Sequence, residues 1–155
     1  MNGMGIQKGF FMKRFLTKMV VVVVMVLSAL VALSGTSHAS AFGIQYWGGF
    51  TVNIGGQSVG IPAGQLAHEI NGSGYHINWD GANFAAVGNI CDSSMRFTYG
   101  NGSYYLNGNV HWGCSHVGQW KYTLNWNAPR GSACAELWAK GWRVRVARQC
   151  HYVYG

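Results

Sequence analysis

Two kinds of apolar pattern divide this chain. From Met19 to Leu33 the residues are apolar without a break except at Ser28. Beyond Phe42 the apolar positions come in short runs, often alternating with polar ones, and glycine and asparagine separate the runs. Alternation over four to eight residues is the signature of a half-buried strand. It predicts strands at Phe50–Ile54, Ser58–Ile61, Leu66–Ile70, Tyr75–Trp79 and Trp120–Trp126. Turn signals fall at Gly48-Gly49, Gly55-Gly56, Asn71-Gly72, Asn101-Gly102, Asn107-Gly108, Pro129-Arg130-Gly131 and Lys140-Gly141. Strands of this length with turns at this spacing predict an all-β domain, a small sandwich or barrel of antiparallel hairpins.

Two hairpins stand out, and the second can be given a register. A turn at Asn101-Gly102 joins Ser94–Tyr99 to Ser103–Val110, with Asn107-Gly108 as a bulge in the return strand or a competing turn. A two-residue turn at Lys140-Gly141 sets Leu137 against Val144 and Ala135 against Val146 on an apolar face. On the opposite face it sets Trp138 against Arg143 and Glu136 against Arg145. The rival for Ala133–Ala139 is a helix, since Cys134, Leu137 and Trp138 also fall at helical spacing. The hairpin register carries a conflict, because it places Cys134 and Cys150 on opposite faces. A bulge in the second strand or a different disulfide pairing would resolve it.

The continuous apolar run belongs to a different object. Lys8, Lys13, Arg14 and Lys18 precede it, and Ala39-Ser40-Ala41 follows it. A basic start, an apolar middle shorter than the ~20 residues of a bilayer span and an A-x-A ending describe a secretory signal peptide. We expect residues 1–41 to be cleaved, after Ala41 or else after Ala39, with Met12 as an alternative start. Residues 42–155 then form a single β domain that is secreted, extracellular, monomeric and without a membrane span. Four of the eleven Lys and Arg leave with the leader, so seven remain against four acids, a net charge of +3. That is mildly basic and short of the footprint of a dedicated nucleic-acid binder. All seven Trp and all eight Tyr stay in the domain, where such side chains build β cores and also grip sugars and protein partners.

Cys91, Cys114, Cys134 and Cys150 are an even set in an exported chain, which predicts two disulfides. Local loops favour Cys91–Cys114 and Cys134–Cys150, with the other connectivities open. His111, Cys114 and His116 form a superficial zinc pattern, but no CxxC pair accompanies them, so neither metal nor cofactor is expected.

The acids offer no obvious catalytic pair. Glu136 faces Arg145, Asp92 follows Cys91 and caps a turn, Asp80 precedes Gly81 as a turn residue, and Glu69 points away from its neighbour His68. Two histidines with an arginine would suit a small secreted ribonuclease, and His68, His76, His111, His116, His151, Arg143, Arg145 and Arg148 supply the residue types. No motif orders them. The better surface is Trp138 with Arg143 and Arg145, a binding patch of aromatic and guanidinium groups.

The segment Ile61–Ile70 (IPAGQLAHEI), with Gly72-Ser73-Gly74, Ala82-Asn83-Phe84 and Gly88-Asn89-Ile90-Cys91, resembles small exported proteins of actinomycete type. The ending, Ala133-Cys134-Ala135-Glu136 and Arg148-Gln149-Cys150-His151, is part of the same likeness. It implies export and disulfides and transfers no functional residue. Size and composition are similar to secreted β domains of killer-toxin and protease-inhibitor type, an analogy of class. The expected role is non-catalytic binding of an extracellular protein or a cell-envelope glycan, in the manner of a toxin, an inhibitor or a wall-binding module. The alternatives are a secreted hydrolase, chiefly a ribonuclease, and a surface or coat protein.

Overall fold

A computed structural model describes residues 40–153. The leader up to residue 39 lies outside the described residues. Nine strands follow in order: β1 (Ala41–Trp47), β2 (Phe50–Ile54), β3 (Gln57–Ile61), β4 (Gly64–Ser73), β5 (His76–Tyr99), β6 (Tyr104–Asn107), β7 (His111–Asn127), β8 (Gly131–Ala139) and β9 (Val144–Val153). Every pairing is antiparallel.

The long strand β5 organises the fold. Its first half pairs with β4 and β7, and its last residues pair with β6 and β8. Between the halves the register shifts twice, at Ala85/Ile90 and at Cys91/Ser93, and Asp92 takes φ +50°. These bulges bend the strand so that its two halves become opposite walls. Loop 128–130 then reaches both ends of β5: Ala128 N–H donates to the Tyr75 carbonyl, and Pro129 lies against Gly100, where an added Cβ would be 2.6 Å from Pro129 Cγ. Beyond the walls, β4 pairs with β1 and β8 with β9. At Gly43 of β1 a Cβ would collide with the Gln149 and His151 side chains of β9, so the two outer strands pack together. The result is an all-β, nearly closed antiparallel barrel.

Leu66, Ile70, Ile77, Phe84, Ile90, Met95, Phe97 and Leu137 fill the interior. Ala133, Ala135, Leu137 and Ala139 alternate inward along β8, as the hairpin pattern requires. The β2–β3 hairpin turns at Gly55 and Gly56, both at positive φ, and lays Phe50, Val52, Ile54 and Val59 on the core.

Several local expectations are met. Tyr99 pairs with Tyr104 and Arg96 with Asn107 around the Asn101-Gly102 turn. The return strand breaks after Asn107, where Gly108 N–H bonds back to the Met95 carbonyl. Cys91 bonds Cys114, and Cys134 bonds Cys150. Two disulfides are compatible with an extracellular protein. Among the described residues no helix is long and apolar enough to cross a membrane.

Residues 133–139 are strand, as the hairpin required, and the rival helix is excluded. Other expectations are corrected. The β8–β9 reversal takes residues 140–143, so Ala139 meets Val144 and Trp138 meets Arg145 rather than Arg143. A register shift between Leu137 and Trp138 then sets Glu136 against Arg148 and Cys134 against Cys150. This bulge is what reconciles the hairpin with its disulfide. Asn71-Gly72 lies inside β4, at a register shift, and the chain reverses after Ser73 instead. Strand β1 was not anticipated, and β5 runs straight through the expected turn at Asp80-Gly81.

Candidate functional site

The predicted surface of Trp138, Arg143 and Arg145 is split by the register. Trp138 and Arg145 remain on the outer face of the β8–β9 pair, around Glu136. That carboxylate is nearly buried and holds Arg145 Nη1 at 3.3 Å, Arg148 Nε at 3.4 Å and the Trp138 indole N–H at 3.3 Å. Two guanidinium groups on one carboxylate leave one net positive charge. A further cation, which the sequence reading missed, lies beside them. Arg96 of β5 sits over the rings of Trp138, Trp142 and Tyr105 at 5.1, 5.2 and 5.4 Å, and its Nε donates to Asn107 Oδ1 at 2.8 Å. The Asn101-Gly102 hairpin pairs Arg96 with Asn107. Docking of β8 alongside adds Trp138, and this is a tertiary event. The guanidinium is held by aromatic faces, with no carboxylate among its ion pairs in the described residues.

Arg143 belongs to a different feature. It sits in the 140–143 turn and lines a cleft of about 400 Å³ between that turn and the β2–β3 hairpin. Lys140, Gly141, Asp92, Trp112, Gln57, Ile54 and Val59 complete the lining. Local chemistry builds its walls. The turn is anchored by Lys140 N–H to the Cys91 carbonyl (3.0 Å) and Gly141 N–H to the Asp92 carbonyl (3.1 Å). Asp92 Oδ1 accepts from Gly113 N–H at 3.0 Å, and the neighbouring Cys91–Cys114 bond ties β5 to β7 behind it. Asp92 thus caps backbone as expected, at a bulge rather than a turn. Asp92, Lys140 and Trp142 all have positive φ, at 50°, 54° and 71°. Non-glycine residues in that region cost ~1–3 kcal/mol each, and they persist only where surrounding structure holds them. Trp112 is 79% exposed on the rim, unusual for the largest apolar side chain. The cleft therefore offers two cations, a flat aromatic face and a carboxylate already engaged by backbone.

A second polar constellation is internal. His68 of β4 and Asp80 of β5 are both fully buried, with Nε2 2.8 Å from Oδ1. The Tyr99 hydroxyl donates to Asp80 Oδ2 at 2.8 Å. Burial first, then the Asp80 charge and this hydrogen bond, push the phenol far above its ordinary value, so it stays a donor. His151 of β9 donates from Nε2 to the His68 carbonyl at 3.1 Å, and the two rings lie 4.8 Å apart. Burial, and then the neighbouring His68, hold the His151 pKa below the usual 6.5. Glu69, as expected, points to the opposite, exposed face.

The structure thus gathers two of the histidines with an acid and a phenol, which is general acid–base equipment. It gathers them in the core. His68 has no accessible surface, and the network lines neither the cleft at the 140–143 turn, nor the hollow at Phe50–Thr51 and Gly60–Pro62, nor the one at Arg130. The chemistry this arrangement performs is cross-linking of β4, both halves of β5, and β9. The other histidines are dispersed. His76 bonds Asn127, His111 stacks on Trp120 with centroids 4.3 Å apart, and His116 is exposed. Cys114 of the superficial zinc pattern is in its disulfide, and among the described residues no three His, Cys, Asp or Glu are placed to hold a metal. No family model matches this chain, and neither a curated protein nor a solved structure matches it.

Proposed function

We propose that this chain is a small exported, monomeric binding module without chemistry of its own, and that the cleft at the β8–β9 turn takes an acidic glycan of a cell envelope. The observation that carries this reading is the cleft itself. Lys140 and Arg143 suit a carboxylate or other acidic group, and the exposed Trp112 indole suits the apolar face of a sugar ring. The anchored turns and the disulfide behind them keep the cleft formed before ligand arrives, which reduces the ordering cost of binding. The two disulfides fit an oxidising, extracellular setting. Of the two cleavage points, the one after Ala39 suits the barrel better. It retains Ala41, which pairs with Ile70, and Ser40, whose hydroxyl lies 3.4 Å from the Gly72 N–H and carbonyl.

The test is depletion of the purified domain from solution by an insoluble cell-wall fraction. We expect depletion by the native domain and loss of most of it in the Lys140→Ala/Arg143→Ala and Trp112→Ala variants. Equal depletion by all of them, or none by the native domain, would overturn the assignment. Release of soluble fragments from the wall or from RNA would replace it with a hydrolase.

A further inference from the structure

We propose a second ligand site at the opposite end of the barrel, one that takes a tetrahedral oxyanion such as a phosphate or sulfate group. It is independent of the cleft assigned above. The nine residues of β8 separate the two, roughly 30 Å at the ordinary rise of a strand. The site is a hollow of about 420 Å³ lined by Ser73, Tyr75, His76, Asn127, Ala128 and Arg130. These residues come from three places: the end of β4, the start of β5, and the end of β7 with the link that follows it.

The hollow is positive without compensation. Of the four acids in the domain, Asp80, Asp92 and Glu136 are bonded elsewhere, and Glu69 lies four residues back along β4. Arg130 makes no ion pair among the described residues. Its guanidinium stands 5.1 Å from the centre of the Tyr75 ring, which orients it and leaves its donors for a ligand. His76 is oriented too. Its Nδ1 donates to Asn127 Oδ1 at 2.9 Å, and its Nε2 has no partner among the described residues. A ring nitrogen accepts from a hydroxyl of an oxyanion or, where it carries the hydrogen, donates to one of its oxygens, so it can bond such a ligand in either form. Ser73, which lines the hollow from the end of β4, carries a hydroxyl as a third polar group.

Three polar groups from separate segments suit a group with three or four oxygens. A carboxylate has two, and a single guanidinium fork satisfies both. The backbone is pinned in place. Ala128 N–H bonds the Tyr75 carbonyl, and Asn101 Oδ1 takes Ser132 N–H beyond Arg130. The donors are therefore positioned by the barrel and not by the ligand.

Titration of the intact domain with inorganic phosphate, inorganic sulfate, glycerol phosphate and acetate, followed by amide and side-chain NMR shifts, tests this. We expect saturable shifts at His76, Ala128 and Arg130 with the first three probes and none with acetate. Arg130→Ala and Ser73→Ala should each weaken binding, Arg130→Ala by about tenfold or more. Arg143→Ala, in the other cleft, should leave it unchanged. Tighter binding of glycerol phosphate than of inorganic phosphate assigns the site to an esterified group, and the reverse assigns it to the free ion. Shifts that never saturate, equal response to acetate, or full binding by both Arg130→Ala and Ser73→Ala would overturn the site. Because Arg130 and Ser73 are exposed, matching spectra of the variants elsewhere establish that the fold is intact.

Discussion

Replacing Asp80 by alanine tests the buried network most sharply. The carboxylate accepts two 2.8 Å hydrogen bonds, from His68 and from Tyr99, and it has no accessible surface. Alanine leaves both donors in the core with nothing to bond. Each orphaned buried donor costs ~1–3 kcal/mol, and there are two of them. A loss of about 4 kcal/mol is therefore expected, against a stability of ~5–15 kcal/mol for a domain of this size. With a urea slope of ~1–3 kcal/mol/M, the unfolding midpoint should fall by about 2 M with the disulfides intact. The control is Tyr99→Phe. In the native background it removes a bond that Asp80 uses and should destabilise by ~1 kcal/mol. In the Asp80→Ala background it deletes an orphaned hydroxyl and should stabilise. The sign of one substitution therefore reverses with the identity of residue 80. Equal effects of Tyr99→Phe in both backgrounds, or a midpoint for Asp80→Ala near that of the native domain, would refute this account of the core.

Four further outcomes are expected. His151 has a folded pKa below its unfolded 6.5, so the unfolded chain binds more protons and stability is lost as the pH falls below 6.5 through the lowered value; thermal unfolding from pH 7.5 downward should show a steeper decline for the native domain than for His151→Gln. Each disulfide closes a short loop, of sequence separation 23 or 16, and double Cys→Ala replacement of either pair should cost about 3 kcal/mol by urea unfolding. If the cleft takes the proposed wall glycan, loss of Cys91–Cys114 should in addition weaken that binding, because the bond ties β5 to β7 beside the cleft, whereas loss of Cys134–Cys150 should not. Gly108→Ala would place a Cβ 2.6 Å from Trp120 Cδ1 and 2.9 Å from the Met95 carbonyl oxygen, and the forced shift should destabilise by ~1–3 kcal/mol in the same assay.

Much of the candidate cleft was within reach of the sequence and some was not. Arg143 was singled out for its alternation with Arg145, but it works from a turn, because the reversal uses four residues instead of two. Trp112 stands between His111 and Cys114 of the superficial zinc pattern, and nothing in its neighbours sets it apart from the other six Trp. Gln57 carried no signal, since a polar residue beside a Gly-Gly turn has countless bland explanations. Asp80 was misread for a physical reason. Asp before Gly is the composition of a turn, yet β4 and β7 flank both residues and supply ladder partners, Ile70 and Tyr122 for Asp80, that keep the backbone extended.

What the sequence by itself determined was local. Period-two alternation set strand type, and Gly55-Gly56 and Asn101-Gly102 set two hairpin registers, because side-chain period and turn conformation depend on adjacent residues alone. An even set of cysteines set the number of disulfides. Tertiary structure alone decided the bend of β5, the bulge that brings Cys134 opposite Cys150, the stacking of Arg96 on Trp138, and the meeting of His68, Asp80, Tyr99 and His151. Each of these joins segments distant along the chain. Their geometry follows from how two walls of a barrel share one interior, and no window of neighbouring residues contains that information.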